Sequence, residues 1–109
     1  MLNKLSKEAV KTARKRGKHY NGFDVGLFEI VKEIVEASNA REEHSNYKDF
    51  ETGLNEDNFK QNFEMFIKDT LEDELADVVI RTLSLAGELD IDIQKAIELK
   101  MKYNNQRED

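Results

Sequence analysis

The fold turns on one stretch, Leu71-Glu-Asp-Glu-Leu-Ala-Asp-Val-Val-Ile-Arg-Thr-Leu-Ser-Leu-Ala-Gly87. At about 100° per residue, Glu74, Asp77 and Arg81 fall on one narrow strip, flanked by Thr70, Ser84 and Glu88. The rest of the circumference carries Leu71, Leu75, Ala76, Val78, Val79, Ile80, Leu83, Leu85 and Ala86. A helix apolar nearly all round is expected to be buried on most sides. Carboxylates buried with it are costly unless paired with cations or bound to a metal. The strip therefore reads either as a structural Glu74/Asp77–Arg81 ion cluster or as half of a metal site.

Upstream, Phe59, Phe63, Phe66 and Ile67 keep the same helical period, which predicts that the three phenylalanines are core. Nothing between Asp57 and Gly87 demands a break, so this region is one long helix or two in sequence. Residues 44–56 are polar and aperiodic and read as a loop. Before them, Asp24 is placed to cap a helix running to about Glu43. Its apolar stripe is Leu27, Phe28, Val31, Ile34 and Val35; Glu29, Glu33 and Glu36 line the opposite side, by themselves an ordinary solvated face.

A first helix is expected over residues 3–16, with Leu2, Leu5, Ala9, Val10 and Ala13 at helical spacing and Gly17 as its stop. Residues 18–26 then form a loop with an Asn21-Gly22 turn and the rings of His19, Tyr20 and Phe23. His19 and His44 read as loop histidines without a special role. Asp92 caps a last helix from Ile93 to about Asn105, whose inward face of Ile93, Ala96 and Ile97 continues as Lys100, Asn104 and Arg107. No long alternating strand pattern appears. The fold class is all-α, a bundle of four to five helices.

With 109 residues the chain suits one domain, and without cysteine it can hold neither disulfides nor cysteine–zinc sites. Proline is absent and glycine numbers five, as helices joined by few turns require. Residues 1–18 hold seven basic residues and one acid, whereas the remaining 91 carry a balance of −12. A chain so acidic is a poor general nucleic-acid binder; the basic stretch suits a solvated face, a phosphorylated ligand or an acidic partner. No apolar run approaches the ~20 residues that span a membrane, and the N-terminus lacks a signal peptide's apolar stretch, so a cytoplasmic protein without membrane partners is expected.

Two acidic pairs on two helices and a Lys/Asn/Arg row on a third suggest one chemistry. Carboxylate oxygens suit Mg²⁺ or Mn²⁺, which keep several waters and bridge to substrate phosphates. Lysine and arginine supply charge to phosphate oxygens. Metal-assisted hydrolysis of a phosphoanhydride follows. Neither histidine lies three residues after a glutamate, as di-iron bundles need, and no glycine-rich phosphate loop is present.

Glu33-Ile-Val-Glu36 followed by Glu74-Leu-Ala-Asp77 resembles the paired acidic motifs of the all-α, MazG-like nucleoside triphosphate pyrophosphohydrolases. The wider stretch from Glu72 to Arg81 looks like that family's second motif, and Ile91-Asp-Ile93 with Lys100-Met-Lys-Tyr-Asn104 and Arg107 is similar to its last helix. Lys32 departs from the acid that many relatives carry at that place. The resemblance covers about residues 27–43 and 59–107. It implies that Glu33, Glu36, Glu74 and Asp77 hold Mg²⁺ or Mn²⁺, with Glu36 as general base. Lys100, Asn104, Arg107 and Arg81 would contact the nucleotide. It also implies a homodimer or homotetramer, which would account for a third helix too apolar for a lone bundle of this size. The competing expectation is a non-catalytic helical module whose acidic strip docks a basic partner.

Overall fold

A computed structural model of the chain describes residues 1–18, 20–43 and 57–107. Every regular element among them is an α-helix: α1 (Leu2–Lys15), α2 (Phe23–Asn39), α3 (Phe59–Phe66), α4 (Leu71–Glu88) and α5 (Ile93–Gln106). None is long and apolar enough to cross a membrane. The all-α expectation holds. His19, His44 and the loop expected over residues 44–56 lie outside the described residues.

The helix ends have identifiable causes. Gly17, at φ 75°, closes α1: the Lys18 N–H reaches the Ala13 carbonyl and the Gly17 N–H that of Arg14. α2 stops at Asn39 rather than Glu43, and Asp24 stands inside its first turn instead of capping it. The 57–87 region is two helices. Asp69 adopts a left-handed conformation at φ 65°, and the Thr70 hydroxyl accepts the Asp73 N–H at 3.3 Å. The Asp73 carboxylate in turn accepts the Asp69 N–H at 2.9 Å, so Thr70 and Asp73 start α4 much as a capping box does. Asp92 caps α5 as expected, accepting the Lys95 N–H at 3.0 Å.

The chain divides into two compact units, one of Met1–Leu27 with Ile80–Asp109, the other of Phe28–Val79. In the first, α1 docks through small residues. The Ser6 hydroxyl donates to the Leu83 carbonyl, and a Cβ built on Gly87 would stand 2.7 Å from Val10 Cγ2 and 2.8 Å from Ser6 Oγ. Glycine at 87 is therefore what lets the two backbones approach. Polar clasps hold the ends: Gln94 Oε1 accepts from the Met1 amino group at 2.7 Å and the Leu2 N–H at 2.9 Å, and Arg14 pairs with Glu88 at 2.9 Å. Beyond this anchorage, every residue of α5 from Lys95 onward is exposed, so Ala96 and Ile97 do not form the inward face expected of them.

The second unit reverses the expected orientation of α2. Glu33, Ala37 and Ala40 are buried, whereas Phe28 is 67% and Val31 54% exposed, with Leu27, Ile34 and Val35 also open to solvent. Ile67 is buried, but Phe59 and Phe66 are exposed and Phe63 half-buried, so the phenylalanine row is not core. On α4, Leu75 and Val79 are likewise exposed. The apolar residues of α2 look outward, and of its acidic face Glu33 turns in, with Glu29 half-buried and Glu36 exposed.

Candidate metal centre

Two helices build the centre, and the three residues they contribute lie in the Phe28–Val79 unit. On α2, Glu33 and Glu36 stand one turn apart, neighbours on the helix surface. Glu74 comes from the first turn of α4, where Glu72 and Asp73 accompany it and where the helix N-terminus favours negative charge. One ligand oxygen from each of Glu33, Glu36 and Glu74 can be chosen so that all lie within 4.8 Å of one another. Oxygens around one octahedral ion at about 2.1 Å lie about 3 Å apart in cis and about 4 Å apart in trans. Lying within 4.8 Å of one another, the three are near enough to approach one ion of that size.

Burial sets the electrostatics. Glu33 is 7% and Glu74 8% exposed, while Glu36 opens to solvent. The Glu74 carboxyl is pushed up from 4.5 to about 7, first by burial and then by the charges of Asp73, Asp77, Glu36 and Asp69. Its Oε2 is buried with no hydrogen-bond partner among the described residues. Every charge that moves the Glu74 carboxyl raises its pKa, and all of them are acidic. A buried carboxylate with an orphaned oxygen is costly in a folded chain and fits a position held for a cation. The donor set, three hard carboxylate oxygens, fits Mg²⁺ or Mn²⁺.

Of the other expected site residues, Asp77 is half-buried one turn beyond Glu74, close enough to raise its pKa but outside the converging triad. Arg81, Lys100, Asn104 and Arg107 belong to the other unit. Arg81 is half-buried on α4, and Lys100, Asn104 and Arg107 are exposed on α5. There Lys100 Nζ lies 5.1 Å and the Arg107 guanidinium 5.9 Å from the centre of the Tyr103 ring, so this ring gathers two of the four expected nucleotide contacts. Sequence reading passed over Tyr103, whose signal was its position between Lys100 and Arg107. It also passed over Asp69 and Asp73, which with Glu74 form a second group of converging carboxylates.

No family model, curated protein or solved structure matches the chain.

Proposed function

We propose that this chain is a Mg²⁺-dependent nucleoside triphosphate pyrophosphohydrolase, cleaving (d)NTP to (d)NMP and pyrophosphate. The observation that carries the reading is the Glu33/Glu36/Glu74 triad, two of its members buried and one with an orphaned oxygen, on the two helices that bear the MazG-like motifs. Glu33, Glu36, Glu74 and Asp77 would hold Mg²⁺, with Mn²⁺ as substitute. Bound there, the metal supplies an acidified water and neutralises charge on the phosphates.

The chain's own residues do the rest. Glu36, the exposed member of the triad, accepts the proton of the attacking water. A bond forms between the water oxygen and the α-phosphorus; the bond from that phosphorus to the α–β bridging oxygen breaks, and pyrophosphate leaves with that oxygen. By the MazG-like resemblance, Lys100, Asn104, Arg107 and Arg81 would contact phosphates or sugar, as their charges and amide suit. The enzyme acts as a cytoplasmic homodimer or homotetramer. The exposed apolar residues of α2, Phe28, Val31, Ile34 and Val35, support that assembly, since apolar side chains gathered on one exposed helix face suit an interaction surface.

The other reading, a non-catalytic module with an acidic docking strip, is less well supported. Glu33 and Glu74 are buried, and a docking strip needs its carboxylates at the surface. Incubation with Mg²⁺ and a panel of nucleoside and deoxynucleoside triphosphates, products resolved by chromatography, tests the proposal. Monophosphate and pyrophosphate are expected with wild type, and at least a 1000-fold loss with Glu36→Gln. No turnover across the panel by a folded protein, or full activity in the variant, would overturn the assignment.

A further inference from the structure

The lysines of α1 stand in one strip. At about 100° per residue Lys4, Lys7, Lys11 and Lys15 fall within about 80° of one another, in a row about 16 Å long at about 1.5 Å per residue. All four are exposed and none makes an ion pair among the described residues, whereas Arg14, at the edge of the row, is taken by Glu88. We infer that this strip holds a second copy of the chain, docking on that copy's acidic Phe28–Val79 unit.

Local helix chemistry leaves the row unexplained. A cation suits the last turn, where Lys15 stands. Lys4 lies in the first turn, where the helix dipole opposes it and no acid offsets it. Lys7 with Lys11, and Lys11 with Lys15, set like charges one turn apart, which weakens a helix. Glu8 is the one acid that α1 carries. The other side of the helix is already in use, since Ser6 and Val10 pack where Gly87 lets the backbones approach.

Charge selects the occupant. The unit of Met1–Leu27 with Ile80–Asp109 holds 12 basic and 8 acidic residues, and the Phe28–Val79 unit holds 5 and 15. One chain thus carries both a cationic strip and a strongly acidic unit, on which Glu42, Glu43, Asp57 and Glu64 are exposed and outside the metal centre. A contact of α1 with α1 would set lysine against lysine. A membrane would need an apolar side of α1 to enter it, and that side is spent on α4. Duplex phosphate is repelled by a chain of net charge −6. Given and taken reciprocally, the strip contact pairs two copies about a two-fold axis. It is separate from the apolar face of α2 and needs neither metal nor hydrolysis. The two contacts together build a tetramer, and either alone a dimer.

Light scattering on the full chain in chelator tests this at about 0.01 M and about 1 M salt, between which the screening length falls from about 30 Å to about 3 Å. The mass of wild type is expected to halve from low to high salt. The quadruple variant Lys4→Gln, Lys7→Gln, Lys11→Gln, Lys15→Gln keeps good helix formers, and circular dichroism checks its fold. It is expected to show the halved mass at both salts, whereas Val31→Glu, Ile34→Glu shows it at low salt and is monomeric at high salt. A wild-type mass that salt does not change, or a lysine variant that keeps the salt dependence, overturns the strip contact. Should that unchanging mass be a dimer lost in Val31→Glu, Ile34→Glu, the assembly through α2 stands. A low-salt dimer dissolved by high salt and by the lysine substitutions alone supports the strip and removes the α2 contact. Lysine-dependent binding of phosphatidylserine vesicles or duplex DNA, by a wild type whose mass salt does not change, gives the strip another occupant and overturns the inference.

Discussion

Glu74→Gln separates a residue kept for stability from one kept for a ligand. In the metal-free chain the Glu74 carboxyl titrates near 7 instead of 4.5, burial being the largest cause. Because its folded pKa is raised, the native state holds this proton more tightly than the unfolded chain does. The stability contributed by this group is therefore fully present below pH 4.5 and is lost as pH rises through 7. At about 1.4 kcal/mol per pH unit the ceiling is roughly 3 kcal/mol. Screening by solvent around the exposed neighbours Glu36 and Asp69, and the desolvation the amide still suffers, reduce the net gain to about 1–2 kcal/mol. In a chelating buffer at pH 8, Glu74→Gln should melt roughly 4–10 °C above wild type, a difference that disappears near pH 4.5. Mn²⁺ at about 100 times its Kd adds about 2.7 kcal/mol to wild type and much less to the variant, so the order of the two melting temperatures reverses. Thermal melts at fixed protein concentration, with and without Mn²⁺, read all of this. A variant less stable than wild type in chelator at pH 8, or one that gains as much from Mn²⁺, would refute the reasoning.

Two further outcomes test the packing. Gly87→Ala places a Cβ 2.7 Å from Val10 Cγ2 and 3.1 Å from the Ser6 carbonyl oxygen, so α1 must shift; a loss of about 1–3 kcal/mol in denaturant unfolding is expected, and an unchanged midpoint would show that α1 docks more loosely. The double variant Val31→Glu, Ile34→Glu charges the outward stripe of α2 and should raise the dissociation constant of the assembly at least 100-fold, about 3 kcal/mol, by light scattering; a monomeric wild type would remove the oligomer from the proposal.

Some of this was legible one residue at a time. The Glu33/Glu36 and Glu74/Asp77 spacings placed each pair on one helix face, and Asp92 and Gly17 marked helix ends by their local chemistry. The break between α3 and α4 was legible too, in Thr70 followed three residues later by Asp73, but the unbroken apolar period through Phe66, Ile67 and Leu71 masked it. A period of 3.6 measures which residues share a face and says nothing about whether the chain turns between two faces.

The sequence by itself determined an all-helical chain and the pairing of acids within α2 and within α4, because helix periodicity and capping act over a few residues. Only the tertiary structure decided which face of α2 turns inward. The apolar stripe and the acidic face lie on opposite sides of one helix, and amphipathic patterning assigns the apolar side to whatever core exists, whether of one chain or of several. With Ala37 and, just past its end, Ala40 as small buried residues, α2 buries Glu33 beside Glu74 and leaves Phe28, Val31, Ile34 and Val35 outside. The convergence of Glu33 and Glu36 on Glu74 likewise joins residues far apart in the chain, and distances of that kind are set by packing.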